Sequence, residues 1–343
     1  MKTTTIYDIA KEAGVSIATV SNAINGKGKV GKKKRDEIFQ VMERLKYQPS
    51  VIASALMGKK TYTLGLLIPD VSNPFFSEIA RSVEDLAHSA GYSVIVCSTD
   101  NRDERVEKYI QLLEQKSVDG ILIGTGMENP EILVQLSEKS LPIVMIAREA
   151  AAISVHSVLT DDFKGGALAA GHLLQLGHSR MAILSENIKV SSSNERVKGF
   201  EFALFEAGVP MDNKQLISCD SSIKDGKRAA LELIRGEGLR PSAIFCCNDL
   251  LAIGALQAAK EEGVRVPEQL SIIGFDNTIL STVTDPALTT IAQPMDHMVK
   301  LAFDLLIASP ESGDTIKQRI VMQPELIIRE STDKPSKQGN QDN

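Results

Sequence analysis

The sequence contains no tryptophan, has few aromatic residues, and lacks the features that mark membrane and secreted proteins. No run of about 18 apolar residues is present, which a transmembrane helix would need. The first residues, MKTTTIYDIAKEAG, include acids at Asp8 and Glu12 and do not read as a secretory signal. We therefore expect a protein of the cytoplasm.

Clusters of reactive or metal-binding residues are also missing. Of the four cysteines, Cys97, Cys246 and Cys247 lie in apolar runs typical of buried strands, which favours reduced structural thiols. The five histidines are scattered, without a spacing typical of zinc sites. No Ser-His-Asp order stands out, and Gly165-Gly166 is too short to indicate a phosphate-binding loop. We expect neither an enzyme nor a bound metal or cofactor.

Charge is divided unevenly along the chain. Residues 1–60 carry 12 lysines and arginines against 5 acids, a net charge of +7, whereas the remaining residues carry 26 against 39, a net charge of −13. A basic segment suits a nucleic-acid backbone, because each cation that meets a phosphate releases condensed counterions. The acidic remainder opposes indiscriminate adhesion to the same polyanion. The two parts are therefore expected to face different partners.

Three helices are predicted within the first 46 residues. The first opens at Thr5, where Thr5 and Asp8 form a capping pattern, and Gly14 ends it. The second starts at Ser16, a good N-cap, and the third runs from about residue 32 to residue 45. A glycine-containing turn between the first two helices is typical of a helix-turn-helix.

The third helix begins with four cations, Lys32 to Arg35, at the positive end of its dipole. Each cation there costs roughly a few tenths of a kcal/mol. Folding alone gives no reason for this placement, whereas a nearby phosphate would offset the cost. A solvated lysine run is the alternative, since Asp36 and Glu37 soften the penalty.

From Tyr62 onward apolar strands alternate with helical segments. Strands are predicted at TLGLLIP, YSVIVCST, DGILIGT and PIVMIAR, then at SVLTDD, RMAILSE, LISCD, AIFCCND and LSIIGFD. The alternation indicates parallel sheets covered on both faces, and two sets in tandem indicate two lobes with a cleft between them. Ligands of such sheets bind beyond the carboxyl ends of the strands, so the loops that follow strands are where a site is expected.

Several segments occur in order between about residues 4 and 331: TIYDIAKEAGVSIATVSNAIN, LKYQPSVIASAL, LGLLIPDVSNPFFSEI, VDGILI, GHLLQLGH, RPSAIFCCND, GVRVPEQLSIIGFDN and LTTIAQP. This series resembles the LacI/GalR family of bacterial transcriptional regulators. The resemblance implies an α/β fold, with an N-terminal helix-turn-helix head and a two-lobed body with parallel sheets like that of periplasmic binding proteins. It also implies a homodimer that binds a palindromic operator in double-stranded DNA.

The domain boundaries follow from the same comparison. The head would occupy residues 1–46 and a hinge helix or linker residues 47–60. The first lobe would comprise residues 61–161 and 291–320, and the second residues 162–290 and 321–331. Residues 332–343 lack apolar side chains that could pack, apart from proline, so a disordered tail is expected.

In this family the second helix enters the DNA major groove. The positions that would read base edges are Ile17, Ala18 and Asn22. Asn22 can form two hydrogen bonds to adenine. Many relatives have arginine at this position, so the base preference inferred for that arginine is in doubt for this chain. Contacts to the DNA backbone are expected from Tyr7, Ser16, Thr19, Ser21, Lys32 and Lys33. For Ser16, helix capping alone is the alternative.

Residues 49–58, PSVIASALMG, resemble the hinge helix that the family forms only on operator DNA. About ten residues are too few for a stable isolated helix, so its folding would draw on DNA and on the partner hinge. Ala53 and Leu56 lie three apart on one face, and paired Leu56 side chains would wedge into the minor groove. A linker with an incidental leucine is the alternative.

Effector contacts are implied in the cleft between the lobes, at Phe75, Phe76, Arg148, Ser192, Arg196, Asn248 and Asp276. The two phenylalanines would offer apolar faces to a sugar ring, and the polar groups would fix hydroxyls. A turn at Asp276, a helix cap at Asn248 and a solvent-exposed Arg196 are the alternatives. The expected effector is a small sugar or a related metabolite.

Three positions depart from the family pattern. Ala147 stands where many relatives have aspartate, and Ser221 where a purine site would have an aromatic residue. Asp304 stands where catabolite-control members, which use a protein corepressor, look basic, and this weakens that alternative. A sugar-binding receptor is the other rival, but it would need a secretory signal and would carry no basic head. The sequence is therefore interpreted as that of a repressor.

Overall fold

A computed structural model describes most of the chain, namely residues 4–25, 28, 30–47, 60–127, 129, 131–137, 141–149, 155–186, 190–209, 211, 215–236, 240–308 and 316–336. Two compact units are present, Met1–Thr61 and Tyr62–Asn343, called here the head and the body. Within the described ranges, none of the helices combines the length and hydropathy that a bilayer span requires.

The head contains three helices, α1 (Ile6–Glu12), α2 (Ile17–Asn25) and α3 (Lys32–Arg44). The Asp8 carboxylate accepts a hydrogen bond from the Thr5 amide at 2.8 Å, and Ser16 Oγ accepts one from the Thr19 amide at 3.1 Å. Gly14 has a φ of 62° in the turn between α1 and α2, a region that glycine enters without a Cβ penalty. The predicted helix-turn-helix head is confirmed.

One member of the lysine run has a role in folding that the sequence did not predict. Lys34 Nζ donates to the carbonyl oxygen of Ala13 at 3.0 Å and pairs with Glu37 at 3.0 Å. Ala13 is the C-cap of α1, where carbonyl groups lack intrahelical partners. Lys34 therefore joins α3 to the end of α1, whereas Lys32 and Lys33 are exposed.

The first lobe of the body is built on a parallel six-stranded sheet in the order β11-β5-β4-β3-β1-β2. Its strands are β1 (Thr63–Ile68), β2 (Ser93–Ser98), β3 (Gly120–Ile123), β4 (Ile143–Ile146), β5 (His156–Thr160) and β11 (Arg319–Met322). The helices α4 (Pro74–Ser89) and α12 (Met295–Ala308) pack on one face, and α5 (Asp103–Gln115) and α6 (Glu131–Ser137) on the other.

The second lobe has a sheet in the order β12-β10-β9-β8-β6-β7, parallel except for the β10–β12 pair. Its strands are β6 (Met181–Ser185), β7 (Leu216–Ser218), β8 (Ala243–Cys246), β9 (Ser271–Asp276), β10 (Thr289–Ala292) and β12 (Glu325–Ile327). Its helices are α7 (Asp162–Leu176), α8 (Ser191–Glu206), α9 (Ile223–Arg235), α10 (Asp249–Glu261) and the short α11 (Leu280–Val283).

The continuous apolar runs of the central strands follow from burial on both faces. Every residue of β3, β4, β6 and β8 is buried, as parallel sheets covered by helices require. Three short strands near the C-terminus, β10, β11 and β12, were not predicted. The two-lobed parallel architecture is confirmed.

The crossings between lobes differ from the expected boundaries by about two residues. The boundary at 290/291 falls inside β10, which belongs to the second sheet, and that at 320/321 falls inside β11, which belongs to the first. The chain crosses instead at Gln293-Pro294 and at Gln323-Pro324. Proline favours an extended residue before it, which suits a connecting segment.

The expected disorder from residue 332 onward is wrong for its first residues. Thr332 Oγ1 lies 2.9 Å from His172 Nε2, and the carbonyl oxygen of Asp333 lies 2.8 Å from His178 Nε2. The Asp333 amide also donates to Ser271 Oγ at 3.0 Å. This segment is held by hydrogen bonds rather than by apolar packing, which is why its composition suggested disorder.

The close contact between α7 and α8 allows a stability prediction. A Cβ on Gly199 would lie 1.8 Å from the carbonyl oxygen of Phe163, whereas a Cβ on Gly171 would meet no atom within 4 Å. Gly199→Ala should therefore force the helices apart and lower the free energy of unfolding by about 1–3 kcal/mol. Gly171→Ala, the matched control, should raise it by about 0.5–1 kcal/mol through helix propensity. Thermal and urea unfolding of the full chain measure both, and equal effects would contradict the packing argument.

Candidate functional site

The residues expected to read bases share one exposed face of α2. Ile17, Ala18 and Asn22 are all exposed, with 39% of the surface of Ile17 accessible. The buried side of α2 is formed by Val20 and Ala23. The exposure of Ile17, Ala18 and Asn22 leaves these side chains accessible to a partner, and their role in reading bases stays a prediction.

The expected backbone-contacting residues surround this face with different exposures. Tyr7 is 68% exposed, Lys32 and Lys33 are exposed, and Thr19 and Ser21 are half-buried. Ser16 does act as the N-cap of α2 and also lies 2.9 Å from the Thr19 hydroxyl. Capping and contact with phosphate are compatible, because the hydroxyl has further hydrogen-bonding capacity. The hinge positions Ala53 and Leu56 lie outside the described residues.

In the body, polar side chains follow the carboxyl ends of strands from both sheets. Arg148 follows β4 of the first lobe, whereas Glu186 follows β6 and Asn248 follows β8 of the second. The Asn248 amide donates to Glu186 Oε1 at 2.7 Å and to Ser221 Oγ at 2.8 Å, while its oxygen accepts from the Leu251 amide. Asn248 therefore caps α10 and holds Glu186 at the cleft.

Arg148 joins the two lobes. Its guanidinium donates to the hydroxyl of Ser192 on α8, lies 3.9 Å from Glu186 Oε2 and sits 5.9 Å from the centre of the Phe76 ring. Its Nε is buried and has no hydrogen-bond partner among the described residues. A buried donor without a partner is costly, so this atom is suited to an incoming acceptor.

Arg196 is the centre of a buried ionic network in the second lobe. Its Nε donates to Asp162 Oδ1 at 2.7 Å, its Nη1 donates to the Cys247 carbonyl at 2.6 Å, and Asp276 Oδ1 lies 3.5 Å away. The guanidinium carbon stacks 3.6 Å from the centre of the Phe275 ring. These contacts rule out a solvent-facing Arg196 and make it a positioning group for Asp162 and Asp276.

The network continues from Asp276 into the first lobe. Gln293 Nε2 donates to Asp276 Oδ1 at 2.8 Å, and the Thr160 hydroxyl donates to Gln293 Oε1 at 2.7 Å. Gln293 lies at one crossing between lobes, and Thr160 ends β5 at another. A continuous polar chain therefore links the cleft to the segments about which the lobes would rotate.

Five residues that line the cleft cavities have a positive φ, among them Ala147 and Asp276. Ala147 has a φ of 56° and Asp276 a φ of 111°, and residues other than glycine seldom have a positive φ. Each position precedes or carries a side chain of the network. Backbone strain of this kind is retained where surrounding structure enforces it, and it clusters at ligand sites.

The pKa values of two carboxyl groups in the network, those of Asp276 and Glu186, shift in opposite directions. Burial raises the pKa of Asp276, although Arg196 opposes the rise. Burial also works against ionisation of Glu186, but Arg148 and the hydrogen bond from Ser221 hold the pKa of Glu186 below its ordinary value. Glu186 is therefore a fixed negative charge at neutral pH, whereas Asp276 readily takes up a proton.

Three cavities lie along the cleft. One of about 600 Å³ is bordered by Asp276 and Gln293 and opens toward α4 and α12. A second of about 240 Å³ is lined by Arg148, Asp162 and Ser192. A third of about 230 Å³ contains Phe76, Arg148 and Glu186, together with residues that follow β1, β2 and β7.

Most of the effector residues expected from the sequence converge on this cleft. Arg148, Ser192, Asn248 and Asp276 surround it, and Phe76 lines the third cavity. Phe75 instead packs in the hydrophobic core of the first lobe, edge-on to Phe76 with ring centres 5.0 Å apart.

Sequence reasoning missed three contributors, Asp162, Glu186 and Gln293. The first two directly follow β5 and β6, so the rule that sites lie after parallel strands could have found them. Gln293 follows β10, a strand that was not predicted.

Two family models match the chain. One, described as periplasmic binding proteins and sugar binding domain of LacI family, covers residues 61–327, and the other, bacterial regulatory proteins of the lacI family, covers residues 5–50. The chain belongs to the LacI family of bacterial regulatory proteins. The family predicted from the sequence is confirmed, together with the class of DNA-binding transcriptional regulator rather than enzyme.

Individual LacI-family proteins match over nearly their whole length. The transcriptional regulator DegA of Bacillus subtilis (strain 168) is 43% identical over 332 residues, which is 96% of this chain and 98% of DegA. The lac repressor dimer bound to operator and the anti-inducer ONPF matches with a TM-score of 0.85 and 26% identity, over 97% of this chain and 100% of that one. The complex of the regulator CelR with cellobiose matches with a TM-score of 0.72 and 26% identity, over 96% and 99%.

The protonation of Asp276 gives this LacI-family protein a testable pH dependence. The folded state keeps a proton that the unfolded chain releases above a pKa of about 4, so the free energy of unfolding should fall as the pH rises from there. Asp276→Asn keeps the oxygen that accepts from Gln293 but cannot ionise. The variant should therefore lose less stability than the wild type between pH 5 and pH 8.

Thermal melts of the full chain across this range measure the effect. Asp304→Asn, which removes an exposed carboxylate on α12, is the control and should follow the wild-type profile. Parallel profiles for Asp276→Asn and the wild type would show that Asp276 is ionised in the folded state.

Proposed function

We propose that this protein represses transcription as a homodimer that binds a palindromic operator, and that a small sugar or related metabolite bound between its lobes sets its operator affinity. It would act in the bacterial cytoplasm, on the nucleoid. The lac repressor dimer bound to operator and CelR bound to cellobiose have the partners that this proposal assigns.

The observation that carries the proposal is the meeting of both lobes at Arg148. This first-lobe arginine contacts Ser192 and approaches Glu186, both of the second lobe, beside cavities of about 240 and 230 Å³. A ligand in these cavities would touch both lobes at once. Because its contacts would differ between lobe arrangements, such a ligand would shift the population toward one of them.

The chain of hydrogen bonds through Gln293 would pass a change at the cleft on to the segments that join the lobes. A change around Asp276 would alter the hydrogen bonds of Gln293 and Thr160 at the lobe crossings, and so the relative rotation of the lobes. In a dimer this rotation would change the spacing of the two hinge segments. If the spacing in the effector-bound dimer permits hinge-helix folding on DNA, the effector acts as a corepressor. If that spacing prevents the folding, the effector acts as an inducer.

Operator preference is the primary test of this function. Full-length protein should bind a palindromic operator from its own genome more tightly than a scrambled duplex in fluorescence anisotropy, and at least one sugar should change that affinity. Equal affinity for all duplexes, with every sugar tested, would contradict the proposal.

Base readout and backbone contact can be separated by two variants of the head. Asn22→Ala removes an exposed side chain suited to a base edge and should cost about 1–3 kcal/mol on the operator but little on scrambled DNA. Lys33→Gln removes an exposed charge and should weaken binding to both duplexes alike, with a smaller salt dependence. Loss of operator preference with Lys33→Gln, or uniform weakening with Asn22→Ala, would reverse the two assignments.

The hinge hypothesis has its own test. Leu56→Ala should weaken operator binding by about tenfold or more, equivalent to about 1.4 kcal/mol, because the minor-groove wedge is lost. Sugar binding by the body should be unaffected. Glu206→Gln, a change at the exposed end of α8, serves as the control. Unchanged operator affinity for Leu56→Ala would leave residues 47–60 as a simple linker.

A further inference from the structure

The cavity of about 230 Å³ has an excess of negative charge. Asp70 and Asp100 border it from the first lobe and Glu186 from the second, and Arg148 is the one lysine or arginine among its lining residues, although Asp100 pairs with Arg105 at 2.8 Å outside the lining. Carboxylates accept hydrogen bonds and do not donate them when ionised. A ligand that complements this lining must supply donors.

The charge of Glu186 is built into the second lobe. Its side chain is 15% exposed, and its two oxygens accept from Asn248 at 2.7 Å and from Ser193 at 3.3 Å. Ser193 lies in the first turn of α8, whose N-cap, Val190, has no side chain that could accept hydrogen bonds. Glu186 thus occupies the place beside a helix N-terminus where an anionic ligand would otherwise be favoured.

One first-turn amide of α4 and one of α10 are capped by asparagine side chains. Asn73 accepts from the Phe75 amide at 3.1 Å, and Asp70 accepts from the amide and the hydroxyl of Ser72 at 2.8 and 2.7 Å. At α10 the oxygen of Asn248 accepts from the Leu251 amide at 2.9 Å. A phosphate in this cavity would meet carboxylates and side-chain oxygens at both helix ends.

Arg148 does not reverse this balance. Its Nη1 donates to Ser192, its Nη2 lies 3.9 Å from Glu186, and its Nε is buried without a hydrogen-bond partner among the described residues. One guanidinium therefore faces several carboxylates in this lining, and its positive charge is already drawn toward Glu186.

We propose that Glu186 is a specificity-determining residue that restricts the effector to uncharged, hydroxyl-rich molecules and excludes phosphorylated ones. The inference rests on the proposed function, because it assigns the chemistry of the same effector. Hydroxyl groups of the ligand donate to Glu186 and Asp70, and one ligand oxygen accepts from Arg148 Nε.

The test compares each sugar with its own phosphate ester on the full chain. The probes are common aldopentoses, aldohexoses and disaccharides, paired with their phosphate monoesters, in thermal-shift screening followed by calorimetry. Wild-type protein should bind at least one unphosphorylated sugar, and its ester at least about tenfold more weakly. Glu186→Gln, which keeps the shape and removes the charge, should reduce this discrimination about tenfold.

Two further variants complete the design. Asp70→Asn should reduce the discrimination in the same direction as Glu186→Gln, but by less. Because Asp70 is exposed on the first lobe, this variant tests the charge argument without changing the buried network of the second lobe. Glu206→Gln, at the exposed end of α8, should leave the discrimination unchanged. The cooperativity of thermal unfolding without ligand reports whether each variant is folded.

Three results would overturn the inference: a phosphate ester that binds wild type as tightly as its parent sugar, discrimination that persists in Glu186→Gln, or binding of no unphosphorylated sugar at all. Failure of the proposed function looks different. A sugar that binds with the stated selectivity but leaves operator affinity unchanged would contradict effector control and support the role of Glu186.

Discussion

The body depends on the accommodation of one buried guanidinium, that of Arg196. A charge removed from water needs partners in good geometry, and leaving one unpaired costs about 3–5 kcal/mol. The partners of Arg196 come from separate elements: Asp162 at the start of α7, the Cys247 carbonyl after β8, and Asp276 at the end of β9. Satisfying this single side chain therefore fixes three loops of the second lobe against each other. The cleft lies at the edge of the second-lobe sheet that these three loops border.

The same constraint extends to the segments that join the lobes. Asp276 is held by Arg196 on one side and accepts from Gln293 on the other, and Gln293 in turn accepts from Thr160. At the other late crossing, Gln323 accepts from Lys164 at 2.5 Å, so both Gln-Pro crossings are tied to the polar edge by their glutamine side chains. A rearrangement that moved Asp276 would change these hydrogen bonds, and this is the physical basis for the proposed coupling between ligand contact and the angle between the lobes.

The sequence predicted the elements better than their junctions. The three helices of the head and the long strands of both sheets could be predicted, because capping residues and apolar runs are local signals. The position of Asp162 and Glu186 after strands indicates the cleft, but their partners Arg196 and Asn248 lie 34 and 62 positions away and leave no local signal. Phe75 and Phe76 are neighbours in sequence and both belong to the core of the first lobe, yet Phe76 alone of the two also lines the cavity of about 230 Å³, a difference set by helix rotation. The docking of Thr332 and Asp333 was missed for a related reason: hydrogen bonds to His172 and His178 leave no hydrophobic pattern.

The head and the body differ in the capping and the charge of their helix N-termini, and therefore in how they would interact with anions. In the body, Asn73 caps α4 and Asn248 caps α10, and the Glu186 carboxylate accepts from the Ser193 hydroxyl in the first turn of α8. In the head, α3 begins after Gly31, which has no side chain to cap it, and the exposed Lys32 and Lys33 follow. Free amides and cations at a helix N-terminus favour phosphate, whereas capped amides beside carboxylates disfavour it. The net charges of +7 and −13 for residues 1–60 and for the remainder act in the same sense over longer distances. With the functions proposed above, the polyanion would bind the head and the uncharged ligand would bind the cleft of the body, so the two binding functions would not compete.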